Sequence, residues 1–95
     1  MAEPESVPYK VVCKVIRQEG SCGFGHKVGD EILFNGRAVE GEICFSALYS
    51  MIPKIFAMMY GAHFPWLDDK DAATHACPDA HNPVTFEVRR VRESL

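Results

Sequence analysis

What the chain lacks narrows its possibilities first. The formal net charge is −3, with 10 lysines and arginines against 13 aspartates and glutamates. There is therefore no basic excess to neutralise phosphate backbones, and nucleic-acid binding is disfavoured. The only basic concentration, Arg89, Arg90 and Arg92, reads as a solvated strand edge. The longest apolar stretch, Ile43 to Tyr60, carries Pro53 and Lys54 near its centre and is not a membrane span. Met1 to Pro8 has neither the basic n-region nor the apolar h-region of a secretory signal. It reads as a disordered tail (residues 1–8) ahead of a single domain over residues 9–95, in a cytoplasmic protein. The four cysteines show no C-x2-C spacing, and no internal repeat or linker is visible. In a reducing compartment such cysteines act as thiols or metal ligands rather than as a disulfide framework.

What is present centres on Gly20 to Asp30, which packs four glycines, one cysteine and one histidine into eleven residues. That glycine density suits neither strand nor helix and implies a tight, shaped loop. A phosphate-loop reading of Gly23, Gly25 and Gly29 fails, because a strand-like segment follows instead of a helix. With 95 residues, 47% of them hydrophobic and 24% charged, the chain is a small globular domain. At that size a metal, a disulfide or a partner subunit is a useful staple.

The apolar pattern then sets out the elements. Tyr9, Val11, Cys13 and Val15 share one face of a strand over Tyr9–Arg17, so Cys13 reads as a small core hydrophobe outside any site. Glu31–Phe34 is a short strand, Asn35-Gly36 a type I′ turn, and Arg37–Val39 its returning arm. Ile43–Tyr60 is one long helix bent at Pro53 and ended by Gly61, with Phe45, Leu48, Tyr49, Ile52, Ile55, Phe56 and Met59 toward the sheet. Ser46, Ser50 and Lys54 form a polar seam, and Cys44, Ala47, Met51 and Met58 form a second, spare apolar side. His63 to Trp66 is an aromatic turn over the core, and Asp68–Asp71 caps a short helix at Ala72–Ala76. Val84–Arg89 is a final strand beside the first, with Val84, Phe86 and Val88 inward. The expected fold is α+β: a small, mainly antiparallel sheet of three to four strands packed on one long bent helix. The spare helix face implies a homo-oligomer, most simply a dimer.

Cys22, His26, Cys44 and Cys77 carry the chemistry. Thiolates with one imidazole are the ligand set of tetrahedral zinc and of iron centres. A glycine loop can turn Cys22 and His26 to one ion, and a helix N-terminus at Cys44 favours the thiolate that metals need. Pro78 keeps the backbone at Cys77 extended. Four protein ligands make a structural site; three plus water make a Lewis acid. A second reading keeps the residues and drops the metal. Cys44 or Cys22 is then a reactive thiol with His26 beside it, oriented by Asp30 or Asp79, while the His63–Trp66 turn walls a small-molecule pocket.

Cys22 with Gly25 to Asp30, then Gly41 to Cys44, then Phe64 to Trp66, then Cys77 to Asp79 with Asn82 to Val84, occur in one order. As a set they resemble an uncharacterised family of small prokaryotic proteins of about this length, many from anaerobes. The resemblance implies that Cys22, His26, Cys44 and Cys77 belong to the family pattern and Cys13 does not. It implies no established activity.

Overall fold

Tyr9, Val11, Cys13 and Val15 are each at most 3% exposed, and the strand carrying them, β1 (Tyr9–Gln18), is the centre of a five-stranded sheet. The computed structural model describes residues 8–94, so the expectation for the N-terminal tail lies almost wholly outside the described residues. The other strands are β2 (Glu31–Phe34), β3 (Val39–Glu40), β4 (Ala72–Ala76) and β5 (Val84–Ser94), with one helix, α1 (Phe45–Met59), between β3 and β4. The order across the sheet is β3-β2-β1-β5-β4, and every pairing is antiparallel. The first and last strands are neighbours as expected, with Cys13 opposite Val88 and Val15 opposite Phe86. Val84, Phe86 and Val88 join the row from β1 to form the core, as their alternation requires.

The fold is α+β, but it differs from the sequence reading in four places. The sheet has five strands rather than three or four, because Ala72–Ala76 pairs with β5 instead of forming a short helix. Alanine favours a helix in isolation, yet the free side of β5 offers a hydrogen-bonded ladder and buries Ala73. The helix has 15 residues and is a single short rod rather than a long bent one. Pro53 lies on the exposed side of the helix, four residues after the exposed Tyr49, and α1 runs through it from Phe45 to Met59. It closes as expected: Gly61 (φ +89°) donates to Met58 and Ala62 donates to Ala57, the paired bonds of a Schellman motif.

The third difference is the helix face. Ala47, Met51, Ile55, Met58 and Met59 are buried, while Phe45, Tyr49, Ile52 and Phe56 point outward. The polar seam decides this rotation. Ser50 Oγ lies 3.0 Å from His75 Nε2, and Lys54 Nζ donates to the Thr74 carbonyl at 2.8 Å, so both side chains are turned to β4. The fourth is the β2–β3 turn. No residue other than glycine has positive φ among the described residues, which excludes type I′ at Asn35-Gly36. The Asn35 side chain instead accepts the N–H groups of Arg37 and Ala38 and shapes a four-residue loop.

One basic residue is not solvated. Arg90 is 2% exposed. Its guanidinium donates to the carbonyls of Met58, Ala62 and Lys70 and to the Asp71 carboxylate, at 2.7 to 3.1 Å, so it caps the C-terminal end of α1 from inside. Tyr9 lies under it, 5.6 Å from guanidinium carbon to ring centroid.

Candidate functional site

The topology brings the four candidate residues to one end of the sheet. β1 leaves the sheet at Gln18, opposite Val84 where β5 enters, and β4 leaves at Ala76, opposite Thr85. The glycine loop follows β1 across this end. Glu19 donates to the Pro83 carbonyl and Ser21 to the Asn82 side chain, which seats the loop on the 79–83 turn. Gly20 (φ +68°) lies so close to Asn82 Oδ1 that a side chain there would have to displace that of Asn82. The far end of the loop returns to β1, where Gly29 donates to the Val15 carbonyl and Val15 to that of Asp30. Across this end α1 begins at Cys44.

His26 is the best-defined of the four. It is 4% exposed, with the Phe24 ring at 4.6 Å and the edge of Phe86 at 5.5 Å between centroids. Its Nε2 accepts the backbone N–H of Cys44 at 3.1 Å. That bond needs an unprotonated Nε2, so in the neutral ring the proton sits on Nδ1. The Asp30 carboxylate lies 3.5 Å from Nδ1, and the same oxygen accepts the Lys27 N–H at 2.9 Å. The Lys27 N–H, then His26 and the Lys27 charge, hold the Asp30 carboxyl below its usual range. Asp30, His26 and Cys44 therefore stand in line. A recess of about 320 Å³, lined by Phe24, His26, Lys27, Asp30, Glu31 and Glu42, opens beside the His26–Asp30 pair.

Cys44 is the N-cap residue of α1, and its carbonyl takes the first helical bond, from Leu48. Neither a side-chain cap nor an acidic residue in the first turn offsets the positive end of the helix. Cys77 extends the β4 ladder by one step: it donates to the Val84 carbonyl, and the Val84 N–H returns to its sulfur at 3.3 Å. Cys22 accepts the Gly25 N–H with its carbonyl, which tightens the loop toward His26. Cys22, Cys44 and Cys77 are all free, partly buried and packed on the core. His26 and Cys44 thus meet directly, while Cys22 and Cys77 lie at the same end of the sheet. Among the described residues, no three His, Cys, Asp or Glu side chains stand close enough together to hold a metal ion.

The other residues singled out from sequence fall elsewhere. Cys13 is fully buried, and burial pushes its thiol up to about 12. Asp79 accepts the N–H groups of His81 and Asn82 with its carboxylate, and these bonds hold its carboxyl low. Phe64 and Trp66 stack at 5.2 Å, with Phe64 against the core and Trp66 outside. The Ser50–His75–Lys54 cluster on the far side of α1 was not anticipated. Burial, then the Lys54 charge, lowers the His75 pKa. Its only possible sequence signal was the i+4 spacing of Ser50 and Lys54, which says nothing of β4. No helix among the described residues is long and apolar enough to cross a membrane. Compared with protein-family models, with curated proteins and with solved structures, the chain matches none.

Proposed function

We propose that this end of the sheet is a thiolate–imidazole site for one zinc or iron ion, with Cys22, His26, Cys44 and Cys77 as ligands. The observation that carries the reading is the Asp30–His26–Cys44 line. A ligating histidine typically presents one nitrogen to the metal and donates the other N–H to a carboxylate, which fixes ring and tautomer. His26 is set up this way, with Asp30 behind Nδ1 and an unprotonated Nε2 that accepts the Cys44 N–H at the capless end of α1. To ligate an ion, Nε2 would have to give up that N–H. The Val84 N–H on Cys77 Sγ is the kind of bond that orients a ligand sulfur. Four ligands from one chain close a tetrahedron, which favours a structural ion. Its effect is to clamp the glycine loop, the start of α1 and the 77–83 turn to one another.

A second reading is a metal-free thiol centre, and what favours it is the capless N-terminus of α1 at Cys44, which stabilises a thiolate. There Cys44 is the nucleophile and His26, backed by Asp30, the base, once its ring exchanges the Cys44 backbone N–H for the thiol. One measurement separates the two. Elemental analysis of protein purified without chelator should find about one zinc or iron per chain, lost in Cys22→Ser and in Cys77→Ser. Metal-free protein with Cys44 as its fastest-alkylating thiol would establish the second reading and discard the first.

A further inference from the structure

The outward face of α1 serves neither the core nor the candidate site. Phe45 is 83% exposed, Tyr49 80%, Ile52 42%, Phe56 61% and Tyr60, just past the last turn, 49%. Their spacings of four, three, four and four residues keep them in one stripe along the helix. Lys54, the one charged residue of α1, is turned away to Thr74. Ser46 is the only polar residue other than tyrosine on this face. Beside the stripe, α1 and the β2–β3 hairpin enclose an apolar groove of about 210 Å³, lined by Phe34, Val39, Ile52, Ile55, Phe56 and Met59.

We infer that a second copy of this chain covers this face, with the two α1 helices antiparallel across a two-fold axis near Ile52. The stripe is its own mirror in sequence: Phe45 with Tyr60, and Tyr49 with Phe56, are each centred between Ile52 and Pro53. An antiparallel copy therefore sets Phe45 against the partner's Tyr60 and Tyr49 against the partner's Phe56. Every ring then meets a ring, and the helix dipoles oppose. The area suffices. At ~200 Å² per aromatic side chain the exposed fractions amount to about 600 Å² per chain, or about 1,200 Å² for two. A specific contact needs roughly 1,000 Å². The groove beside Phe56 gives the opposing rings a pocket to enter, as anchor residues require. A membrane surface fits less well, because an interfacial helix carries lysine and arginine along its polar face, and α1 has only Lys54. The interface differs from the one expected from sequence, since Met51 and Met58 are in the core.

The test uses the full chain and two variants, Tyr49→Lys and Phe56→Glu. Sedimentation at micromolar concentration should give twice the chain mass for the parent. Each variant alone should give one chain mass, its self-association weakened by at least ~30-fold, with an unchanged far-UV spectrum. Mixing the variants should restore a dimer, because Lys at 49 of one chain then faces Glu at 56 of the other. A monomeric parent would overturn the inference. So would variants that remain dimeric, a mixture that stays monomeric, or a parent that is monomeric in solution and binds zwitterionic vesicles through this face.

Discussion

The imidazole of His26 and the backbone amide of Cys44, eighteen residues apart, share one hydrogen bond of 3.1 Å, with Nε2 as acceptor. The bond ties the glycine loop to the first turn of α1 and fixes which nitrogen is unprotonated. The carboxylate that keeps it so is that of Asp30. If the proposed metal site is right, Asp30→Asn should lower zinc affinity by about 10- to 100-fold, the usual effect of losing a carboxylate behind a ligating histidine. Competition against a chromophoric chelator measures this. Cys22→Ser should be more severe than Asp30→Asn; equal losses would show that Asp30 acts on loop folding instead.

Cys13 makes stability depend on alkaline pH. Its thiol is raised from 9.0 to about 12, because the core cannot accommodate the thiolate. The unfolded chain loses this proton first, so the contribution is complete below pH 9 and is lost as pH rises toward 12. Across that window unfolding free energy should fall by up to ~1.4 kcal/mol per pH unit from this group. Cys13→Val should flatten that slope in urea titrations and leave metal content at the parent value.

Arg90→Met should cost about 3–5 kcal/mol of stability, the range for breaking a buried charged pair from one side. Here the loss also strands the carbonyls of Ala62 and Lys70 and leaves that of Met58 with the Gly61 N–H alone. Arg90→Lys should rescue little, because one ammonium cannot reach acceptors spread around a planar fork. Urea midpoints of the two variants check this, and a near-parent midpoint for Arg90→Lys would contradict it.

At Gly20 the positive φ and the proximity of Asn82 act together. Gly20→Ala should destabilise by about 1–3 kcal/mol, the cost of a residue held in a sparse backbone region. Asn82→Ala removes the clashing atom, along with the acceptor for the Ser21 N–H. The double variant should therefore be more stable than the sum of the two singles predicts, a coupling read from a double-mutant cycle.

What could be read from sequence follows from which forces are local. The period of two in Tyr9, Val11, Cys13 and Val15, and in Val84, Phe86 and Val88, needs only burial on one side. Gly61 needed only a positive φ. The orientation of α1 was not local, since two apolar stripes compete and β4 decides between them through His75 and Thr74. Because Ala72–Ala76 looks helical by composition, that decision was hidden, and the exposed face was misassigned with it. Arg90 was misplaced for a related reason: its acceptors come from the end of α1 and the segment before β4. At the candidate site, ligand chemistry pointed to His26 and Cys44 together, and Asp30 was among the orienting groups considered. The sulfur positions depend on loop geometry that no spacing encodes.

The place of β5 has a consequence for synthesis. It comes last of the described elements, yet it lies inside the sheet, between β1 and β4. While a ribosome is still extending the chain, β1 has its partner on one side only, and β4 has none. The end of α1 has its Gly61 cap but not yet the Arg90 guanidinium, which has not emerged. A nascent chain halted before β5 should therefore be digested by protease as an open chain. Once β5 has emerged, the sheet closes in one event whose rate is set by joining segments some seventy residues apart.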